Sequence, residues 1–259
     1  MLLVVDVGNT EVTLGLFTGE SLVAQARLAT RADRPPDEWA AAVADIFALD
    51  GRKAADVKAV CLTSVAPAVT PDLGRGLRML TGRDPAVVDA RTPLPIRLDV
   101  EEPLTVGGDR IVNTLAGVTL FAGDLIVVDF GTATTFDCIT ADGRFIGGAI
   151  APGLRTSADN LTRMAAKLPA TELQPPTRAI GRRTEECIQA GVLYGAADAA
   201  DGMVRRIMAE WPGKGSPRVI ATGGLAAMVA PLTATIPETV PDLTLQGLRI
   251  AAAHLGLRW

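Results

Sequence analysis

Apolar residues occur along the chain in short runs that alternate with longer segments of helical periodicity. Near the amino-terminal end, three such runs are separated by turn-forming residues, which is typical of three strands joined by tight turns. A helix is predicted next, because two prolines and two acids stand at its start and regularly spaced alanines and apolar residues follow. The predicted elements are strands over 2–8, 11–17 and 21–28, a helix over 34–50, a strand over 57–64, a helix over 67–80, a strand over 85–88, an extended segment over 93–104, and a loop entering a helix over 107–121.

The same plan begins again at Asp124. Three short strands are predicted, and Asp142-Gly143 marks a hairpin turn between the second and the third. Helices and one further strand follow, and Gly223-Gly224 is predicted to open a helix. These elements are strands over 125–130, 134–140 and 144–150, helices over 153–167 and 184–210, a strand over 218–222, and a helix over 243–255.

The first strand of each half carries the same residues at matching positions. The matching pairs are Leu2/Leu125, Val4/Val127, Val5/Val128, Asp6/Asp129 and Gly8/Gly131. Chance similarity between two buried strands is the alternative, but the strand–turn–strand layout after each segment favours an internal duplication. We therefore predict an α/β protein of two related halves, residues 1–123 and 124–259, around a nucleotide cleft.

Two aspartates, Asp6 and Asp129, are predicted at the ends of buried strands. Glycine and hydroxyl residues follow each of them. Carboxylates bind Mg²⁺ directly or through water, and backbone N–H groups in glycine-containing turns line phosphate oxygens. The pair therefore indicates a phosphate and metal site, with two plain Asp-Gly turns as the alternative. Neither G-x-x-x-x-G-K-[ST] nor a G-x-G-x-x-G after a strand occurs, and residues 213–216 are interpreted as a loop.

A second candidate constellation is Gly107-Gly108-Asp109-Arg110, just before a predicted helix. Asp109 could simply be a cap or a first-turn acid of that helix. The functional alternative is a general base beside a guanidinium that holds an anionic group. Two other glycine-rich segments lie between a strand and a helix: residues 147–153 would let a ligand approach the backbone, and residues 221–224 could pack against the base or ribose of a nucleotide.

Composition and charge argue against several classes of function. The chain has 259 residues, 48% of them hydrophobic and 21% charged, and a net charge of −4 without a long basic tract, so we expect no nucleic-acid partner. No apolar run is long enough to span a bilayer and no leader precedes the first strand, so we expect a cytoplasmic protein away from membranes. The single histidine, His254, argues against a zinc site or a Ser-His-Asp triad, and Cys61 and Cys138 are expected to be buried thiols.

The ordered set of motifs resembles that of the type III pantothenate kinases. The matching pieces run over nearly the whole chain: DVGNT (6–10), GGDR (107–110), DFGTATTFD (129–137), GGAIAPGL (147–154), LP (168–169), residues 184–195, TGG (222–224) and LTLQGL (243–248). The resemblance implies the duplicated ribonuclease H-like fold of acetate and sugar kinases, Hsp70 and actin. It also implies ATP-dependent phosphorylation of the pantothenate hydroxyl, the first step of coenzyme A synthesis.

The resemblance implies a role for each matching residue. Asp109 would be the catalytic base, and Gly107, Gly108, Arg110 and Thr184 would bind pantothenate, Thr184 in the site of the neighbouring subunit of a homodimer. Asp129 would bind a monovalent cation, potassium or ammonium, and Asp6 would lie near Mg²⁺. The nucleotide-binding residues would be Asp6, Val7, Gly8, Asn9, Thr10, Glu11, Val12, Thr13 and Thr132.

One position departs from the family pattern. Many members carry a tyrosine close to where Val100 stands, so an aliphatic wall is expected in the substrate pocket. Three rival functions stay open at this point. They are another small-molecule kinase of the same fold, a non-catalytic accessory regulator of transcription, and an actin- or Hsp70-like ATPase, although Asp6, Asp109 and Asp129 are all present and no extra partner-binding domain is seen.

Overall fold

The computed structural model describes residues 1–49, 51–213 and 215–259. Two predicted features reach beyond this part of the chain. Asp50, the predicted last residue of the first helix, and Lys214, within the predicted loop over 213–216, lie outside the described residues. By contact the chain divides into two units, residues 1–119 with 243–259, and residues 120–242.

The first unit contains a five-stranded sheet in the order β3-β2-β1-β4-β5. Strand β1 pairs with β2 in antiparallel and with β4 in parallel orientation, which places Asp6 level with Thr13 on one side and Thr63 on the other. The elements are β1 (Leu2–Val7), β2 (Glu11–Thr18), β3 (Ser21–Ala29), α1 (Pro36–Leu49), β4 (Ala59–Ser64), α2 (Thr70–Thr81), β5 (Ala86–Val88), a two-residue strand β6 (Arg97–Leu98), and α3 (Gly108–Leu120).

The two faces of the first sheet pack against different parts of the chain. Alternate residues of β1, Leu3, Val5 and Val7, join one buried cluster with side chains of α1 and α2 such as Val43 and Leu73. Because side chains alternate along a strand, Asp6 lies on the opposite face. That face carries the carboxylate at the end of β1 without placing it in the apolar cluster.

The second unit repeats this arrangement. Its strands run in the order β11-β10-β7-β8-β9, and Asp129 lies level with Thr135 on β8 and Thr222 on β10. The elements are β7 (Leu125–Phe130), β8 (Ala133–Ile139), β9 (Arg144–Pro152), α4 (Leu154–Met164), α5 (Thr184–Ala209), β10 (Arg218–Thr222), α6 (Ala226–Val229) and β11 (Glu238–Thr239); α7 (Leu243–His254) then belongs to the first unit.

The duplicated α/β fold predicted from the sequence is confirmed. The strands β3-β2-β1-β4-β5 and β9-β8-β7-β10-β11 correspond one to one, with antiparallel pairs at the meander and parallel pairs beyond it. Asp6 and Asp129 occupy equivalent positions, as do Thr63 and Thr222.

Among the described residues, no helix has the length and apolar content needed to cross a membrane.

Several local predictions differ from the structure. The segment after Gly223-Gly224 forms only a four-residue helix, α6, before a 3₁₀ turn over Ala230–Leu232. Strand β11 is two residues long and lacks the apolar alternation by which strands are predicted. The last helix, α7, was predicted within the second half but groups with the first unit, where it packs on β1 and β4. Cys61 and Cys138 are buried free thiols, as predicted, and Cys187 is exposed.

Candidate active site

The turn between β1 and β2 holds the first predicted phosphate-binding segment. The Gly8 N–H donates to the Glu11 carbonyl at 2.9 Å, which closes the turn. Thr30, just after β3, stabilises this turn through two hydrogen bonds. Its hydroxyl donates to the Gly8 carbonyl at 2.7 Å, and its N–H donates to the Thr10 carbonyl at 2.9 Å. Asn9 and Thr10 are exposed at the tip, whereas the Val7 and Val12 side chains are fully buried. Any ligand contact from these two valines must therefore come from the main chain.

The Gly107–Arg110 segment turns the chain into helix α3. The helix begins at Gly108, and the Asp109 Oδ1 atom accepts a hydrogen bond from the Arg110 N–H at 2.8 Å. The Ile111 N–H donates to the Gly107 carbonyl at 3.2 Å, which forms the first helical turn. Asp109 thus lies in the first turn of the helix, as the alternative of a first-turn acid predicted, and its Oδ1 atom satisfies one N–H group there.

Gly108 anchors this segment to the end of the first sheet. A Cβ atom at this position would lie 1.9 Å from the Thr63 hydroxyl oxygen and 2.9 Å from the Val88 carbonyl oxygen, so only glycine fits without rearrangement. The Thr63 hydroxyl donates to the Val88 carbonyl at 3.0 Å. Because Thr63 is level with Asp6 on the neighbouring strand, this contact brings the Asp6 end of β1 and the Asp109 end of α3 to the same region.

Sequence reasoning missed Thr63. It stands near the end of an apolar strand, and a buried hydroxyl there looks like any other strand residue. Its available signal was its position, because it occupies in the first half the place that Thr222 occupies in the second. Thr63 carries no predicted chemistry, but it determines where the Gly107–Arg110 segment sits.

The electrostatic environment of Asp109 favours a proton acceptor. Burial raises the pKa of its carboxyl group, while the hydrogen bond from the Arg110 N–H and the charge of the Arg110 guanidinium oppose that rise without cancelling it. A general base works best when its pKa approaches the working pH. The raised pKa makes Asp109 a stronger base than an exposed carboxylate, and its role as general base stays a prediction.

The second unit places Asp129 at the corresponding strand end. Its Oδ1 atom lies so close to Gly223 that a Cβ there would be 2.3 Å from it, and Gly223 has a φ of +93°, a backbone conformation that side chains other than glycine rarely adopt. Gly223 belongs to the stretch of residues 221–224 that was predicted to pack against a nucleotide. In the structure Gly223 packs against the Asp129 carboxylate, and whether the same stretch contacts a base or ribose stays a prediction.

Thr132 follows Asp129 and organises the loop into helix α4. Its carbonyl accepts hydrogen bonds from the Gly153 N–H at 3.1 Å and from the Thr156 hydroxyl at 2.7 Å. Its side chain is exposed. The Thr132 carbonyl is therefore committed to the fold, and contact of this residue with a nucleotide stays a prediction.

The two remaining predicted substrate residues lie outside regular strands. Val100 is half-buried in the segment between β6 and the 3₁₀ turn over Pro103–Thr105. Thr184 is exposed as the first residue of α5. Their contacts with pantothenate stay predictions.

The acids are not arranged as a preformed metal cage. Within the described ranges, no group of three or more His, Cys, Asp or Glu side chains could hold a metal ion. A phosphate-binding site does not need one, since Mg²⁺ is commonly held by one or two carboxylates together with substrate phosphates and water. Asp6, level with Thr13 and Thr63, and Asp129, level with Thr135 and Thr222, provide oxygen donor sets that fit cations of this kind.

Comparison with known proteins identifies the family. The family model for type III pantothenate kinase matches residues 2–206. The type III pantothenate kinase of Geotalea uraniireducens (strain Rf4) is 46% identical over 252 residues, covering 96% of this chain and 97% of its own. That of Moorella thermoacetica is 43% identical over 252 residues, covering 96% and 98%. This chain belongs to the type III pantothenate kinase family.

Solved structures of low sequence identity share the fold of this family member. A conserved Baf family protein of Campylobacter jejuni, described as a transcriptional activator, aligns with a TM-score of 0.61 at 16% identity, covering 98% of each chain. A 2-dehydro-3-deoxygalactonokinase-like protein of Sinorhizobium meliloti gives 0.55 at 16% identity, covering 98% and 99%. These likenesses show the two-sheet fold alone. Family membership, by contrast, makes the chain a kinase and decides against the rival sugar kinase, regulator and actin-like ATPase.

Proposed function

We propose that this kinase transfers the γ-phosphoryl group of ATP to the hydroxyl of pantothenate with Asp109 as the general base. A new bond forms between the hydroxyl oxygen and Pγ, the bond from Pγ to the β-phosphate oxygen breaks, and the hydroxyl proton passes to Asp109. Family membership supports the reaction. The observation that supports the base is the partial burial of Asp109 at the start of α3, which raises the pKa of its carboxyl group.

Arg110 is proposed to hold the carboxylate of pantothenate. Its N–H fixes one oxygen of Asp109, and a guanidinium binds a carboxylate through two parallel hydrogen bonds. The adjacent Gly107 and Gly108 pack closely on Asp109 and Thr63 within the fold, and they would contact the substrate through the main chain. Placing base and anion clamp on consecutive residues makes their spacing rigid, and such positioning is a large part of phosphoryl-transfer catalysis.

The turn from Asp6 to Thr13 and the Thr132 side chain are proposed to contact ATP. Backbone N–H groups and hydroxyls at the exposed tip of this turn suit phosphate oxygens. Asp6 would hold Mg²⁺, directly or through water, and that ion would neutralise charge on the phosphates. Asp129 would hold potassium or ammonium and supply positive charge that a P-loop lysine supplies in other kinases.

Val100 and Thr184 are proposed to complete the pantothenate site. Thr184 would act in the partner's site of a homodimer, and the exposed position of its side chain at the start of α5 is compatible with that role. A cytoplasmic location, with no nucleic-acid or membrane partner, completes the proposal. The dimer rests on the resemblance to the family, and the location rests on the sequence, in which no apolar run is long enough to span a bilayer.

A coupled assay of ATP consumption tests the proposal. Pantothenate, acetate and several sugars are supplied in turn, with Mg²⁺ and with potassium or sodium as the monovalent salt. We expect ADP to form only with pantothenate, together with an equal amount of phosphopantothenate, and faster in potassium. ADP formation with a sugar instead would contradict the substrate, and no ADP formation with any acceptor would contradict the kinase assignment for this chain.

A further inference from the structure

A buried hydroxyl in the second unit has no role in the folded chain. The Thr222 side chain is 1% exposed, and its Oγ1 atom has no hydrogen-bond partner within the described part of the chain. Buried hydroxyls are nearly always hydrogen-bonded, so an orphan of this kind needs an explanation. Valine has almost the same shape and would fill the position without a polar atom.

Thr222 lies beside Asp129. The two residues are level with each other on the parallel strands β10 and β7. Alternate residues of both strands, including Val128 and Ala221, belong to the apolar cluster on one face of the sheet. Asp129 and Thr222 therefore both lie on the opposite face, and residues that are level on adjacent parallel strands present their side chains side by side.

The duplicated half shows what this hydroxyl would do if its role were structural. Thr63 is the equivalent residue, level with Asp6, and its hydroxyl donates to the Val88 carbonyl at 3.0 Å. Strand β5 reaches the level of Thr63, whereas β11 ends at Thr239, level with Ala221. In the second unit the equivalent hydroxyl has no hydrogen-bond partner among the residues that the structure describes.

The carboxylate beside Thr222 is held in a fixed place. Gly223 and Gly131 flank its Oδ1 atom: added Cβ atoms would lie 2.3 Å and 3.6 Å from it. A carboxylate oxygen and a neutral hydroxyl oxygen are thus presented side by side at one strand end. Oxygen atoms of this kind replace the hydration shell of a monovalent cation.

We propose that Thr222 Oγ1 is a second protein ligand of the monovalent cation assigned to Asp129. The inference rests on the proposed cation role of Asp129 and extends it to a residue with no role in the proposed reaction. The hydroxyl would contribute a neutral oxygen to potassium or accept an N–H of ammonium.

Binding of potassium can be measured without catalysis, by the thermal unfolding of the free enzyme in potassium chloride and in choline chloride at equal ionic strength. A ligand that binds only the folded state raises the unfolding temperature. The variants are Thr222→Val, which removes the hydroxyl, Thr222→Ser, which keeps it, and Asp129→Asn. Thr239→Val on the neighbouring strand is the matched control.

We expect Thr222→Val to be at least as stable as the wild type in choline, because an unsatisfied hydroxyl is removed. We also expect its potassium-induced rise to require a concentration about tenfold higher or more, the size of loss usual when a group supporting a metal site is removed. Thr222→Ser and Thr239→Val should respond like the wild type.

The outcomes distinguish the role of Thr222 as a ligand from the proposed cation role of Asp129 on which it rests. If Asp129→Asn loses the potassium response and Thr222→Val keeps it, Thr222 is not a ligand and the role of Asp129 stands. If the wild type shows no response, or if Asp129→Asn responds like the wild type, the cation assignment fails and this inference fails with it.

Discussion

At the scale of single residues, the chemistry depends on side chains whose surroundings the sequence does not reveal. Asp109 was identified from its motif, but the pKa shift of its carboxyl group comes from burial, which depends on packing. Thr63 and Thr222 stand near the ends of apolar strands and look alike in the sequence. They differ in the folded chain: the Thr63 hydroxyl donates to the Val88 carbonyl, whereas the Thr222 hydroxyl has no partner within the described residues.

Asp109→Asn should leave the free enzyme as stable as the wild type or more stable at neutral pH. The pKa of Asp109 is raised by folding, so its ionised form opposes folding above that pKa, and the effect disappears below the unfolded-state value of about 3.9. The variant keeps an oxygen for the Arg110 N–H. Thermal unfolding from pH 4 to pH 8 should show a gain that shrinks towards low pH, with Glu101→Gln as an exposed control.

A variant less stable than the wild type at neutral pH would contradict this account, because it would mean that the Asp109 charge supports the fold. A gain that grows towards low pH would contradict it equally, since it would require a lowered pKa.

At the scale of elements, periodicity predicted most of the fold. The three strands of each meander and the long helix α5 were found within one or two residues, because their apolar spacing is regular. Helix α6 and strand β11 were not, because four and two residues contain too little periodicity. The same holds for the candidate site: its motifs could be identified in the sequence, whereas the packing of Gly108 on Thr63 could not be predicted from it.

Gly108→Ala tests how tightly this contact positions helix α3. Its Cβ would overlap the Thr63 hydroxyl, so the helix start must move. We expect a loss of about 1–3 kcal/mol in the free energy of unfolding. Moving Asp109 by about 1 Å should slow turnover by roughly 10²-fold.

Gly74→Ala is the matched control, because nothing lies within 4 Å of a Cβ atom added to Gly74 within helix α2. That variant should be neutral or slightly more stable, since alanine favours helix. Denaturant unfolding and steady-state kinetics measure both effects. Equal stability and turnover for the two variants would show that Gly108 does not set the position of Asp109.

At the scale of the whole molecule, one unit is made of segments distant in the chain. Helix α7 joins the first unit, where the Thr244 hydroxyl donates to Asn113 Oδ1 at 2.8 Å and Gly247 lies against the Val112 carbonyl. Sequence periodicity predicted the helix but not this partner, because the contact joins residues far apart in sequence. The duplication was visible in the sequence because the two first strands keep matching residues.

Removal of residues 243–259 should therefore prevent the first unit from folding. Leu243, Leu245 and Leu248 are buried, and each buried leucine is worth about 1.5–3 kcal/mol. We expect the shortened chain to lose cooperative unfolding, measured by circular dichroism in denaturant. Removal of 255–259 alone is the control, and a cooperative transition like that of the full chain after the longer deletion would contradict the assignment of α7.

The central claim is that Asp109 removes the proton from the pantothenate hydroxyl, and its most direct test is the rate of a single turnover. ATP and pantothenate are mixed rapidly with excess enzyme, either wild type or Asp109→Asn, and phosphopantothenate is measured with time. General-base catalysis typically contributes about 10²–10⁴-fold, so we predict a rate lower by that factor for the variant while pantothenate still binds. An unchanged rate would contradict the account.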